Sequence, residues 1–158
     1  TERDFGIVFQ SYALFPNLTV WKNISYGLEN RRMNKADIES RVRELLDLVG
    51  LEDQVTKYPA QLSGGQQQRV AVARAMVSDP DIVLADEPTA NLDSTTGAEL
   101  IDMMRDLNRT RGMTFIFSTH DEMIMGRADR LVLLKDGRLD NDIRRDLQRD
   151  IQRDTADG

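Results

Sequence analysis

The sequence contains no cysteine, which excludes a disulfide framework and a thiolate zinc site and fits a reducing compartment. It has no apolar run approaching the roughly 20 residues that cross a bilayer, and no stretch reads as a signal peptide. Histidine occurs once, at position 120. None of the ten glycines is followed by lysine, so the phosphate-wrapping loop G-x-x-x-x-G-K-[ST] does not occur in these 158 residues. What remains is a globular balance, 40% hydrophobic and 30% charged, at a length that can bury one core. The net charge of -6 argues against a nucleic-acid backbone as the main partner, and it says nothing against docking onto a membrane protein. The opening "TERDFGIVFQ" has no methionine and enters a strand-like run at Ile7 to Phe9, as though the chain were entered mid-domain.

Periodicity organises the rest. Residues 5–10 read as a short buried strand, and "SYALFPNLTV" as an irregular segment broken by Pro16. Thr19 is placed to cap a short helix through Gly27, with Val20, Ile24 and Leu28 on one face. Asn34 precedes a clearer helix carrying Ile38, Val42, Leu45, Leu46 and Val49, ended by Gly50. A third helix runs from about Gln66 to Ser78 and stops at "DPD". "IVLAD", residues 82–86, has the pattern of a strand buried on both faces. "STTGAELIDMMRDLNRTRG" is a helix with Leu100, Met103, Met104 and Leu107 inward and Gly112 as its cap, and "TFIFS" is a second buried strand. "RLVLLKDGRL" reads as a hairpin around Asp136-Gly137. Strand, helix, strand, helix in this order implies a parallel α/β sheet with right-handed crossovers. From Asp140 the tail has four arginines and six aspartates, with Ile143, Leu147 and Ile151 as one thin apolar stripe. A frayed surface helix and a docking helix both fit that stripe.

Ligands of open α/β sheets bind at the carboxyl ends of the strands. Asp86 ends one predicted strand, with Glu87 beside it and Pro88 turning the chain away. Two adjacent carboxylates there can divide labour, one holding Mg²⁺ and the other polarising an attacking water; a strand end with solvated acids gives the same dipeptide. His120 falls just past the next strand, where it can be structural or can hydrogen-bond a phosphate oxygen. Gln10 ends the first strand, and Asp93 lies six residues beyond Glu87. Gly64-Gly65 can adopt backbone conformations closed to other residues, aiming N–H groups at one point, while the following helix adds its dipole and Ser63 a hydroxyl. A flexible turn before a capped helix is the plainer alternative.

Taken together, "LSGGQ" at Leu62 to Gln66, then "LADEPTANLD", then "STHD" resemble the nucleotide-binding subunit of ATP-binding cassette (ABC) transporters. The resemblance runs from Phe5 to about Leu139. It implies a P-loop NTPase-like (RecA-like) parallel sheet, partial here, spanning residues 1–139 with an inserted helical signature subdomain at about 18–78 and a charged tail at 140–158. It implies ATP and Mg²⁺ as ligands. Gln10 would be the Q-loop glutamine, reaching Mg²⁺ and the attacking water; Ser63, Gly64, Gly65 and Gln66 the signature loop; Asp86 the Walker B aspartate on Mg²⁺; Glu87 the catalytic carboxylate. Asp93 would belong to the D-loop, and His120 would be the switch histidine at the γ-phosphate.

In this family two subunits sandwich two ATP molecules head to tail, so the signature loop of one serves the nucleotide of the other. The resemblance therefore implies a second nucleotide-binding subunit as partner. It also implies a transmembrane permease facing residues near Tyr12, Phe15 and Leu18, and a peripheral place on the cytoplasmic face of the inner (cell) membrane. The missing lysine loop would lie upstream of Thr1, making this the C-terminal portion of a longer subunit that should not hydrolyse ATP alone. Two other functions compete. In ATPases of DNA repair a long coiled coil separates the nucleotide-binding halves, whereas here Leu62 follows Gln10 by 52 positions. A non-catalytic regulatory module would keep the fold without needing Asp86, Glu87 and His120. "VFQSYALFPNLTVWKNISYGL" looks like importers of small solutes, and "LADEPTANLDSTTG" more like exporters or lipoprotein-release systems.

Overall fold

Three parallel strands, β1 (Phe5–Val8), β2 (Ile82–Asp86) and β3 (Thr114–Ser118), lie side by side in chain order. The structure is a computed structural model that describes residues 5–29, 31 and 33–145. Val8 pairs with Ala85, and Asp86 with Ser118, so the carboxyl ends of the strands are level. The parallel arrangement follows from the long crossovers that separate the strands in sequence. Strand β1 ends at Val8, two residues short of the expected limit, and Phe9 and Gln10 already leave the sheet.

The reading of residues 82–86 as buried on both faces is corrected. Val83 and Ala85 are buried, but Leu84 is 37% exposed, in line with Phe5 (55%), Ile7 (45%) and Ile116 (50%) of the neighbouring strands. By the register these four share one face of the sheet. The apolar run is real, yet within the described residues only the opposite face is covered, by the helices of the crossovers. Contact there is close: a Cβ on Gly6 would run into the carbonyl oxygen of Ala75.

The first crossover holds helices α1 (Val20–Glu29), α2 (Lys35–Val49) and α3 (Gly64–Met76). Their apolar faces meet through Ile24, Leu28, Val42, Leu45, Leu46, Val49, Val70, Val72 and Met76, all buried. The expected caps are in place. The N–H of Lys22 donates to Thr19 Oγ1, that of Asp37 to Asn34 Oδ1, and Gly50 ends α2 at φ 67°. Asn23 is buried because it organises the irregular segment before α1: its Oδ1 accepts from the Phe15 N–H, and its Nδ2 donates to the carbonyls of Phe15, Leu18 and Thr19. Arg41 of α2 donates to the Met76 and Val77 carbonyls, a cation at the negative end of α3.

Helix α4 (Ser94–Arg111) forms the second crossover, burying Leu100, Ile101, Met104 and Leu107, with Gly112 as its left-handed cap. The chain divides into two compact units between Thr119 and His120. The second holds a short helix α5 (Glu122–Arg127), which the sequence pattern did not announce, and an antiparallel hairpin of β4 (Arg130–Lys135) and β5 (Arg138–Arg144). The turn at Asp136-Gly137 has φ 50° and 73°, as a two-residue hairpin turn requires. The helical reading of the tail gives way to strand from Asp140 to Arg144, because Ile143 pairs with Leu131 and Arg130 forms a two-pronged bond with Asp142. Leu147 and Ile151 lie outside the described residues.

The open sheet face makes a prediction. The purified chain should bind a hydrophobic dye such as ANS and self-associate at micromolar concentration, because a contiguous apolar surface of this kind seeks cover. Leu84→Ser with Ile116→Ser should weaken both signals. A dye-silent monomer of unsubstituted chain in light scattering would count against it.

Candidate functional site

Strand β2 delivers Asp86 to the carboxyl edge of the sheet with its side chain exposed. Glu87 follows at φ 44°, a left-handed conformation that costs a non-glycine residue of order 1–3 kcal/mol unless its surroundings impose it. The surroundings do so. The Glu87 N–H donates to the Ser118 carbonyl across β3 at 2.9 Å, and Thr119 Oγ1 donates to Glu87 Oε2 at 3.1 Å. Pro88 and Thr89 then bury themselves and turn the chain inward. Glu87 is thus held half-buried and oriented at the sheet edge, while Asp86 beside it stays open. Thr119 was not singled out from sequence; a hydroxyl one residue before His120 in "STHD" was the available signal.

The glycine pair departs from expectation. Neither Gly64 nor Gly65 takes a positive φ; both belong to the first turn of α3. Ser63 is the N-cap in a reciprocal capping box: its Oγ accepts from the Gln66 N–H, and its own N–H donates to Gln66 Oε1 at 2.9 Å. The first amides of a helix have no intrahelical acceptor, so those of Gly64 and Gly65 point off the end together with the dipole. Glycine is needed here for space rather than for backbone freedom. A Cβ on Gly64 would lie 2.9 Å from Tyr12 Oη, and one on Gly65 2.5 Å from Thr96 Cγ2.

Those contacts show what the structure brings together. The segment after β1, the start of α3 and the segment 91–96 converge on Gly64 and Gly65, with Leu92 Cδ2 and the Asn91 carbonyl completing the wall around Gly64. Asn91 Nδ2 donates to the Gln10 carbonyl at 3.0 Å, which fixes where Gln10 leaves the sheet. Asp93 is the N-cap of α4, accepting from the Thr96 N–H and from Thr96 Oγ1. The Thr96 hydroxyl bond, and then the main-chain one, hold the Asp93 carboxyl below its ordinary value. His120 opens the second unit, directly after Thr119. Among the described residues no three histidine or acidic side chains cluster as a metal cage. A Mg²⁺ held through one carboxylate, waters and phosphate oxygens needs no such cage, and the open Asp86 at a strand end suits it.

Comparison with known proteins decides the family. Residues 1–90 match the ABC transporter family. This chain belongs to it. Relatives include the Fe(3+) ions import ATP-binding protein FbpC 2 of Rhizobium meliloti, 54% identical over 88% of this chain and 35% of that protein. The sulfate/thiosulfate import ATP-binding protein CysA 2 of Chromobacterium violaceum is 54% identical over 88% of this chain and 38% of its own. The chain therefore spans little more than a third of the length of these relatives. Among solved structures, cbiO1 from Clostridium perfringens superposes with a TM-score of 0.83 at 32% identity, covering 88% of this chain and 56% of its own. The ATP-binding cassette MJ0796, in a dimeric post-hydrolysis state bound to ADP and Pi, gives 0.77 at 38% identity over 90% of this chain and 63% of its own. The fold is thus that of an ABC ATPase cassette, with its parallel sheet present in part.

The packing around Gly65 and the cap at Asp93 have measurable consequences. Alanine at a helical glycine ordinarily gains roughly 1 kcal/mol, but at Gly65 it overpacks Thr96, whose rotamer is held by Asp93. Overpacking costs about 1–3 kcal/mol, so Gly65→Ala should lower stability in urea melts, and Thr96→Ser, which deletes Cγ2 and keeps the hydroxyl, should restore it. The Asp93 cap should be pH-sensitive. A carboxyl depressed in the folded state stabilises fully above its unfolded value near 3.8, and that stabilisation is lost as pH falls through the lowered value. Asp93→Asn should remove this acid dependence while keeping the cap; Asp93→Ala should lower Tm at neutral pH by roughly 2–4 °C.

Proposed function

We propose that this chain is the part of an ATP-hydrolysing transport subunit that carries the catalytic carboxylate and the signature helix, acting in a head-to-tail pair. The observation that carries the proposal is the fixed carboxylate of Glu87. A glutamate held in a left-handed conformation by Ser118 and Thr119, at the edge of a parallel sheet, suits the polarisation of a water molecule aimed at a terminal phosphate. Asp86, and Gln10 where it leaves β1, would hold Mg²⁺, which supplies charge neutralisation on the phosphates when bound. His120 would donate to the γ-phosphate oxygens.

Ser63, Gly64, Gly65 and Gln66 would close on the ATP held by the second subunit. The Ser63 hydroxyl remains a donor after accepting from Gln66, and the first amides of α3 add further donors and a positive dipole end. This explains a phosphate cradle without a lysine of its own. The segment Tyr12–Leu18, with Phe15 and Tyr26 exposed and their rings 4.7 Å apart, would face a membrane-embedded permease. The protein would then sit on the cytoplasmic face of the membrane, and no described helix is long and apolar enough to cross it. Import of a small solute is the direction favoured, since the names of the relatives from Rhizobium meliloti and Chromobacterium violaceum say import.

The test uses this chain behind a segment bearing a G-x-x-x-x-G-K-[ST] loop. That polypeptide should hydrolyse ATP with Mg²⁺, and Glu87→Gln should cut turnover about a hundredfold to ten-thousandfold while ATP binding persists. The 158 residues by themselves should give no turnover. Activity unchanged by Glu87→Gln would overturn the assignment.

A further inference from the structure

We propose that Arg74 is a positioning residue that straps the segment following Gln10 onto α3, so that Gln10 and the Ser63–Gln66 helix end keep a fixed relation. The segment is strained. Tyr12 (φ 60°) and Ala13 (φ 48°) are both left-handed non-glycine residues, and the Ala13 N–H folds back onto the Ser11 carbonyl at 2.6 Å around Tyr12. A three-residue turn of that hand is rare and persists only when something outside it imposes it. Arg74 supplies the outside hold. Its Nη1 donates to the Ala13 carbonyl at 2.6 Å and its Nη2 to the Tyr12 carbonyl at 3.3 Å, while its guanidinium carbon lies 5.8 Å from the centre of the Phe15 ring. Three successive features of one loop are thus gripped by one planar group. Lysine cannot do this, because it has a single ammonium and no plane.

The other end of the strap is the Tyr12 ring. Arg74 sits eleven residues beyond Ser63, about 16 Å along the helix axis at 1.5 Å per residue. Side chains lean towards the N-terminus of their helix, and the Tyr12 ring continues in that direction until its hydroxyl lies against Gly64. The loop therefore touches α3 three turns apart and cannot shift at one point without the other. On the function proposed above, which this inference deepens, Gln10 belongs to the subunit's own ATP and Ser63–Gln66 to the partner's. Arg74 would then make the occupancy of one nucleotide site felt at the other.

Hydrogen–deuterium exchange on this chain, read by mass spectrometry, tests the strap without nucleotide, so failure of the ATPase assignment leaves the result standing. In Arg74→Lys the amides at 11–15, and those of Gln66 and Gln67 that bond to Ser63, should exchange at least about tenfold faster, with α4 unchanged. Ala13→Gly in the Arg74→Lys background should recover part of the protection, since glycine takes φ 48° without the left-handed cost. Ala13→Gly alone, which keeps Arg74 and removes the left-handed cost of a Cβ at φ 48°, should slow exchange at 11–15. Unchanged exchange at 11–15 in Arg74→Lys, a uniform rise through α3 and α4 that Ala13→Gly does not relieve, or unchanged or faster exchange at 11–15 in Ala13→Gly alone would each overturn the proposal.

Discussion

The close seat of α3 on β1 is the constraint on which the remaining geometry depends. Helix and strand approach until the Gly6 position has no room for a side chain beyond hydrogen. Almost every α3 residue from Val70 to Met76 is buried, so the helix has no wet face over that stretch and behaves as a pillar among the sheet, α1, α2 and α4. A pillar with both ends determined places both ends. Its C-terminal carbonyls sit under Arg41, and its N-terminal turn lies against Tyr12, Leu92 and Thr96. The placement of the polar N-terminal turn of α3 is therefore set by an apolar contact at the opposite end of the same helix.

Much of this was legible in the residues. Apolar spacing with Asn34, Gly50 and Gly112 as punctuation placed α2 and α4 to within a residue or two, because caps are local chemistry that needs no tertiary partner. The hairpin at Asp136-Gly137 was legible for the same reason: two left-handed residues in succession select that dipeptide. What escaped was whatever depends on contacts distant in sequence. The run "IVLAD" says only that the residues are apolar, not that one face is left open, and that depends on which elements cover the sheet. The tail showed a period of four through Ile143, yet Ile143 answers to Leu131, twelve residues away, and the cross-strand partner prevails over the weak helical period.

The glycines of "LSGGQ" show the same limit in the candidate site. From sequence, an adjacent pair suggests backbone freedom, since that is glycine's local property. In the fold the pair is ordinary helix, and its role is to let Tyr12 and Thr96 come close. What the segment offers is then a helix end with a serine cap, a more rigid object than a glycine-rich loop. Thr119, Asn91 and Arg74 were silent in sequence because each acts on a residue far along the chain: Glu87, Gln10 and the pair Tyr12–Ala13.

The distribution of backbone strain ties these partners to the chemistry. Among the described residues, five non-glycine residues have positive φ: Tyr12, Ala13, Asp79, Glu87 and Asp136. Asp79 and Asp136 sit in turns, where aspartate tolerates that conformation. The other three lie in the two segments that leave the carboxyl edge of the sheet. Each of these segments is held by donors or acceptors from another element, Ser118 and Thr119 for one and Arg74 for the other. Strain that is imposed from outside marks a position whose geometry matters more than its local energy. A relaxed Glu87 would be free to swing off its line, and a relaxed Tyr12–Ala13 turn would let Gln10 drift from α3. The fold maintains both against local preference, which is the arrangement expected where a water and a phosphate have to be met at fixed angles.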